Sequence, residues 1–485
     1  SELHNMKQEL LFLHGISKST GNLRLKELYK KARNEYSSEI RNAKYKANCS
    51  FIEHSTNKCR AAWKLIKEPL HQRKEELTSI SSNEFNCYFA EIPDQIKQNL
   101  PHSNTSATEY LTENIHTKYD FSWREVTSLE IYHTIKALKN SNSRDYYDLS
   151  NNFIKRIVNC IYIPLTICIN NSLSVGIFPE CLKISKVIPS HKKGDKNECN
   201  NYRPISQVPV TSKIFEKVIK DQICDYFESS QLYSDSQFGF RSGRNTTQAV
   251  CDLVNYVVGA FGQRESVQAV FCDLSKAFDC VEHNILISKL KFYGFADNAL
   301  NLIASYLTDR RQLVVINGQR SQTMSLKYGV PQGSVLGPIL FLIAINDLMF
   351  NIPTSNIVFA DDTTFMHKHN SFNELETLKN STLTHVKSWF SANGFLLNES
   401  KTESLVFTLK QFDTHKCKML GIVIDTKLTW QEHVNYISVK LSRVVYLLRR
   451  IKKCVPHAYA RAVYFAYFQS IIKNGVKVTM LKMCF

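Results

Sequence analysis

The spacing of apolar residues changes character several times along the chain, and each change marks an element. From Asn22 to about Leu70, Leu25, Tyr29, Ala32, Tyr36, Ile40 and Ala43 recur at steps of three and four, with Lys, Arg and Glu between them. That is the period of an amphipathic helix, which Pro69 would break. Residues 78–125 are rich in Ser, Thr and Asn, with Pro93 and Pro101, and predict a linker with short helical pieces. A denser mixture of strand and helix runs from about Trp123 to about Phe407. Within it, Ser266–Cys272 and Ile357–Ala360 are uncharged and β-branched and read as buried strands. Val335–Phe350 is apolar but broken by Gly337, Pro338, Asn346 and Asp347, and is too short to span a bilayer. Near the end, Val434, Ile437, Leu441, Val444, Leu448 and Ile451 form one helical face, with Lys440, Arg443, Arg449, Arg450 and Lys453 mostly opposite. The pattern predicts a chain in three parts: a helical extension and linker over 1–125, a central region of mixed strand and helix over 126–410, and a basic helical part over 411–485.

Composition sharpens this. Hydrophobic residues make up 43% of the 485, which excludes a wholly disordered or collagen-like chain. Lys and Arg number 61 against 44 acids, a net charge of +17. From residue 416 onward there are 13 basic residues and two acids, Asp425 and Glu432, so +11 of the excess lies there. A basic face with almost no opposite charge points to a phosphate backbone, and Lys440, Arg443 and Arg450 are the candidate contacts. The 14 cysteines include no CxxC pair; they read as reduced thiols of a cytosolic or nuclear protein, not a secreted one. The first residues carry no signal-peptide core and do not begin with Met, so we expect a piece of a longer chain.

Against the basic background, a few acids stand where carboxylates should be uncomfortable. The strand 266–272 runs straight into Asp273, and the strand 357–360 into Asp361 and Asp362, with apolar residues following. Apolar strand, two Asp, apolar strand predicts a hairpin with adjacent carboxylates at its tip. Such carboxylates repel one another unless a cation sits between them. Mg²⁺, a hard ion that takes carboxylate and phosphate oxygens, suits that place, and Asp273 would complete a two-metal site. Between the two strands, Gly329, Pro331, Gln332, Gly333, Gly337 and Pro338 form a tight loop feeding an apolar helix, suited to a flat ligand such as a base. Upstream lie a basic turn with Lys192 and Arg203, and a glycine-punctuated loop, Gln237–Arg244, whose Arg241 and Arg244 suit phosphates and whose aromatics suit stacking.

In this order the blocks KVIPSHKKGD…NYRPIS, SQFGFRSGRNTTQA, VFCDLSKAFDCVEH, GVPQGSVLGPILFLIAINDL, FADDTTF, NGFLLNESKTESLVF and KMLGIVIDTKLTWQEHV resemble the reverse transcriptase of non-LTR (LINE-type) retrotransposons, nearest the jockey- and I-like group. The resemblance implies an α+β fold, the right-hand polymerase: fingers, a ferredoxin-like palm and a helical thumb. It implies that Asp273, Asp361 and Asp362 are the catalytic, metal-binding triad, with two Mg²⁺ ions and Mn²⁺ as a substitute. It places Phe278 as a gate against the ribose 2′-OH. Gln332, Arg203, Lys192 and Leu274 fall around the incoming nucleotide, and Lys401 is a candidate proton donor to pyrophosphate. Asp279 is expected to cap or brace the following helix. The implied partners are an RNA template, a DNA primer or target site and dNTPs, with no membrane. The element's RNA-binding protein and an endonuclease domain absent from this chain are further expected partners. The setting is a ribonucleoprotein of nucleus and cytoplasm. The rival expectation is an inactive or co-opted RNA-binding relic, which the unusual tail from Val476 to Phe485 would favour.

Overall fold

The β-branched segment after Leu182 folds as β1 (Ile184–His191) and β2 (Tyr202–Gln207), paired antiparallel from Lys186 opposite Gln207 to His191 opposite Tyr202. These observations come from a computed structural model that describes residues 2–55, 57–67, 78–103, 105–112, 120–452 and 454–473. The expected strand over Ser266–Cys272 forms as β3. β4 (Arg311–Ile316) runs parallel to β1 and carries the short β5 (Gln319–Arg320) and β6 (Met324–Ser325), which completes a sheet ordered β2-β1-β4-β5. β7 (Ser355–Phe359), β8 (Asp362–His369) and β9 (Glu403–Phe407) join β3 in a second, antiparallel sheet ordered β7-β8-β3-β9. The central place of β3, with β8 on one side and β9 on the other, explains why Val267, Ala269 and Val270 are all fully buried. β10 (Lys416–Met419) and β11 (Ile422–Asp425) form a separate hairpin.

The chain divides into two compact units, Leu77–Thr429 and a smaller one drawing on Ser1–Glu76 and Trp430–Phe485. This division runs across the three parts expected from sequence. Residues 78–125 do not behave as a linker. Ser81 caps a helix, Ser82–Gln98, by a capping box with Glu84, and Phe85, Phe89 and Ile92 of that helix pack on Val187, Tyr202 and Val314 of the first sheet. Further on, the Phe121 ring lies 4.3 Å from that of Phe295, and its amide donates to the Gly294 carbonyl at 2.7 Å. The polar residues that suggest a linker are used here: Ser81 and Asn99 cap the helix, and Asn83 and Asn86 hydrogen-bond to the backbone of Gln322. At the other boundary, the β10–β11 hairpin belongs to the larger unit.

In the smaller unit, the helical period after Asn22 gives Leu23–Glu53 and then Lys58–Lys67, with Asn22 accepting from the Arg24 amide at 2.8 Å as N-cap. A preceding helix, Glu2–Thr20, has too weak an apolar face to be read from the sequence. Pro69 and the tail beyond residue 473 lie outside the described residues, as does Lys453. In the helix Gln431–Ile451, Val444 and Ile451 are buried, Ile451 clusters with Ile52, Ala61 and Ala62, and Val434 is exposed. The expected apolar face is therefore covered only along its second half.

The broken apolar stretch 335–350 becomes two helices, Gly337–Ile345 and Leu348–Asn351, at the centre of the main core. Its two polar breakers are used there. Asp347 pairs with Lys289 at 2.5 Å and accepts from the Trp389 indole at 3.0 Å, all three side chains fully buried. The helix Val158–Val175 is the one described helix long and apolar enough to cross a membrane. It buries Ile169 and Leu173 in the core and ends at Gly176, where the Asn298 side chain caps its last carbonyls. No disulfide joins the described cysteines, and Cys272 and Cys280 are buried thiols.

Candidate active site

The site grows from one turn. β7 and β8 are joined through Ala360 and Asp361, with Phe359 opposite Asp362, and Ala360 takes φ +59°. A two-residue turn with positive φ at its first position matches the twist of a hairpin, but a non-glycine residue there needs support. The Gln237–Arg244 loop supplies it. Its backbone runs beside β7, with the Phe238 amide donating to the Val358 carbonyl and the Val358 amide to the Ser236 carbonyl. The buried Gln237 Oε1 accepts from Gly239 at 2.8 Å and from Ala360 at 3.4 Å. A Cβ on Gly239 would stand 2.3 Å from the Ala360 nitrogen, so glycine is required by close approach.

Asp273 follows β3 directly, and β3 pairs with β8 up to Cys272 opposite Thr363. The end of β3 and the tip of the β7–β8 hairpin are thereby adjacent. The three carboxylates feel one another. Burial pushes the Asp361 carboxyl up, with Asp273 adding to it and Arg203 and Lys192 working against it. Asp362 reaches solvent along one edge, yet desolvation, Asp361 and Asp273 push its carboxyl up to about 6. Hard oxygen donors under mutual repulsion are the donor set that a divalent cation relieves. As placed, no three such ligands among the described residues close round a single point. Instead, Lys401 Nζ lies 2.9 Å from Asp273 Oδ2.

That lysine arrives on the loop after the helix Phe372–Ala392. The loop is stitched to the Asp273 segment by backbone bonds from Ser275 to Leu396 and from Asn398 to Asp273. Facing it is a cavity of about 660 Å³ lined by Asp273, Leu274, Phe278, Gln332, Asp361, Lys192, Arg203 and Lys401. The structure thus brings together all the residues expected at the nucleotide, with Asp362 just outside the lining. Lys193, Lys276, Tyr88 and Asn398 line it too, and Tyr88, on the distant helix Ser82–Gln98, carries no local signal for this place. Burial lowers the Lys192 amine from its ordinary range, with Arg203, Lys276 and Lys401 adding to the effect. The wall carries more cationic than acidic groups and suits a polyphosphate.

Two supports hold the Gln332 loop. The Ser206 amide of β2 donates to the Gln332 carbonyl at 2.7 Å, and a Cβ on Gly333, whose φ is +119°, would meet the Ser206 carbonyl at 2.5 Å. The fully buried Glu216, which no local pattern singles out, accepts from the amides of Val335 at 2.6 Å and Leu336 at 3.2 Å. Phe278 stacks on Phe341 with centroids 4.5 Å apart and meets the exposed Phe240 edge-on, so the rotation of its ring is restricted.

Other expectations fall differently. Asp279 caps no helix, since the helix His283–Phe292 has Glu282 at its N-cap position. Its carboxyl lies near Lys276 and Lys192, and burial pushes it up to about 6. Arg241 is largely buried, donating to both oxygens of Glu228 and to the Ser234 carbonyl; it braces its own loop. Arg244 is half-buried, 3.2 Å from Asp235 and over the Phe238 ring. In the smaller unit Lys440, Arg443 and Arg450 are exposed, with Lys440 over Tyr436 at 4.1 Å and Arg450 over Tyr446 at 5.9 Å.

Comparison with known proteins gives the class first. The family model for reverse transcriptases (RNA-dependent DNA polymerases) matches residues 190–424, within the larger unit, and this chain carries such a domain. More particularly, the chain is similar to RNA-directed DNA polymerases of mobile elements. The chain is 26% identical to the probable RNA-directed DNA polymerase from transposon BS of Drosophila melanogaster over 91% of its own length and 52% of that protein. It is 28% identical to the RNA-directed DNA polymerase from mobile element jockey of the same species, over 59% of this chain and 34% of that one. With the transposon X-element polymerase it shares 27% over 64% and 36%. The chain therefore spans about half the length, or less, of the curated relatives it matches.

Proposed function

We propose that this chain extends a DNA 3′-OH on an RNA template by nucleotidyl transfer from dNTPs. The observation that carries the reading is the adjacency of Asp273, Asp361 and Asp362 at the edge of a basic cavity that also holds Phe278 and Gln332. Asp273, Asp361 and Asp362 would hold two Mg²⁺ ions, or Mn²⁺ in their place, which when bound lower the pKa of the primer hydroxyl and offset charge on the leaving pyrophosphate. The chain's own residues do the rest. Lys192 and Arg203 bind the triphosphate. Gln332 and the glycine backbone beside it receive the base. Phe278, packed on Phe341, excludes a ribose 2′-OH. Lys401, on the Asp273 side, is placed to give a proton to pyrophosphate.

In this reading the sheet of β1, β2 and β4 is the fingers, the sheet of β3, β7, β8 and β9 is a ferredoxin-like palm, and the helices after Trp430 are the thumb. The strand order β7-β8-β3-β9, all antiparallel, supports the palm. Exposed Lys440, Arg443 and Arg450 would hold the heteroduplex by its backbone, without sequence readout. The whole protein would act in a ribonucleoprotein of nucleus and cytoplasm, beside the element's RNA-binding protein and an endonuclease. Primer extension on an RNA template with dNTPs and Mg²⁺, run beside the Asp361→Asn, Asp362→Asn double variant, tests this. Extension by the parent chain alone supports it. Equal heteroduplex binding with no extension by either turns the reading to a non-catalytic RNA-binding relic.

A further inference from the structure

Lys276 lies three residues beyond Asp273, in the left-handed region at φ 49°, ψ 44°. A lysine gains nothing locally from that conformation, and such backbone outliers cluster where a site needs a side chain aimed against local preference. The outcome here is specific. The Lys276 ammonium is shielded from solvent and has no hydrogen-bond partner among the described residues. It rests 5.8 Å from the centroid of the Tyr88 ring, and its residue lines the same cavity as Arg203, Lys192 and Lys401. Asp279 faces it and favours its charge; Arg203 and Lys401 oppose it, and burial lowers its pKa. Among the described residues its interaction with Asp279 is one of charge, without a hydrogen bond to the ammonium. A buried amine that makes none of its three hydrogen bonds weakens the fold unless something else uses it.

We propose that Lys276 is a ligand of the triphosphate of the incoming nucleotide, resting against Tyr88 in the free protein and turning into the cavity when the polyanion enters. The proposal rests on the polymerase reading and adds to it a cation that the basic turn and Arg203 do not supply. A partly desolvated ammonium loses little further solvation on meeting phosphate, so its charge-assisted bond is strong. The same contact would serve free pyrophosphate, which carries the same oxygens.

The test compares the parent chain with Lys276→Met and Lys276→Arg. Lys276→Met should raise the KM for dTTP roughly 10- to 100-fold, the worth of one charge-assisted hydrogen bond. It should weaken inhibition by inorganic pyrophosphate by a similar factor, with kcat changed far less and primer–template Kd unchanged. Lys276→Arg should recover most of the loss. Thermal unfolding of Lys276→Met should occur at the same or a higher temperature, because an unpartnered buried amine has been removed. Unchanged KM and unchanged pyrophosphate inhibition overturn the proposal. So does a fall in both melting temperature and primer–template affinity, the mark of an amine that holds the fold. If the parent chain extends no primer, the polymerase reading fails instead. Calorimetric titration of pyrophosphate into parent and Lys276→Met then still decides the lysine, and equal affinities overturn it.

Discussion

Lys401 Nζ stands 2.9 Å from Asp273 Oδ2, a bond between residues 128 apart in sequence. The pair joins the loop after one helix to the end of the central strand, and it occupies a carboxylate oxygen that the proposed chemistry needs for a metal ion. Both partners reach solvent, so the pair adds little to stability. Its interest is competition.

Lys401→Ala should therefore act in two directions. Turnover should fall by roughly 100-fold or more if the amine is a proton donor, while the Mg²⁺ concentration for half-maximal extension should fall because Asp273 is released. A magnesium titration of extension rate separates the two effects. If both quantities stay at their parent values, Lys401 is a solvated loop lysine.

Replacing Asp273, or Asp361 with Asp362, by Asn should abolish extension by at least about 1,000-fold, the scale of several kcal/mol of lost charge stabilisation. Heteroduplex binding should persist, since in the proposed arrangement the carboxylates would serve the nucleotide and not the duplex backbone. Extension assays and fluorescence anisotropy on the same preparations give both numbers, and residual extension within tenfold would move the metals elsewhere.

The raised carboxyl of Asp362 fixes a pH effect on stability in metal-free buffer. Its folded pKa is about 6 against an ordinary 3.8, so between these values the folded state binds more protons than the unfolded one. Stability must then fall as pH rises through that window. Asp362→Asn should melt above the parent at pH 7, and the gap should close near pH 4. Adding Mg²⁺ should stabilise the parent and not the variant. A gap that persists unchanged at pH 4 would mean that charge is not its cause.

Arg241 and the smaller unit's arginines should separate cleanly. Arg241→Ala breaks a largely buried bidentate pair with Glu228 and should cost about 1–3 kcal/mol of stability, with the salt dependence of heteroduplex binding unaltered. A combined Lys440→Ala, Arg443→Ala, Arg450→Ala chain should keep its melting temperature. It should bind less tightly and lower the slope of log affinity against log salt by about 2–3. A flat salt response in the parent would count against backbone contacts altogether.

Gly239→Ala puts a methyl group 2.3 Å from the Ala360 nitrogen. The β7–β8 hairpin must then move away from its brace and carry Asp361 and Asp362 with it. Extension should fall more than tenfold, because sub-ångström placement of reacting groups matters steeply. Gly243, with open space around its Cβ but φ +74°, serves as the comparison. Gly243→Ala should cost about 1 kcal/mol of stability and little activity.

Much of the site was legible because its signals are local. A strand of uncharged β-branched residues announces burial, and an Asp at its end announces a carboxylate at the sheet edge. β3 covers Ser266–Cys272 as the pattern requires, and the hairpin turns between Phe359 and Asp362. Asn245 and Gln248 likewise form a capping box at the start of the helix Thr246–Gly262, a signal that lies within four residues. The order of these blocks was enough to suggest the family, and the reverse transcriptase match over residues 190–424 agrees with it.

The three carboxylates, the strands that lead into them and the excess of basic residues can all be read from the unfolded chain. Those follow from periodicity and charge, which act over a few residues. The tertiary structure alone decided which of the basic and polar groups serve the cavity and which serve the fold. Arg241 and Lys401 are both lysine-or-arginine residues in glycine-flanked or polar loops, yet one is buried on Glu228 and the other reaches Asp273. It also decided that 78–98 docks on a sheet, that Tyr88 lines the cavity, and that Glu216 holds the loop of Gln332. Each of these depends on a partner about a hundred or more residues away, and the strength of a charge or a hydrogen bond is set by the burial that only the folded chain provides.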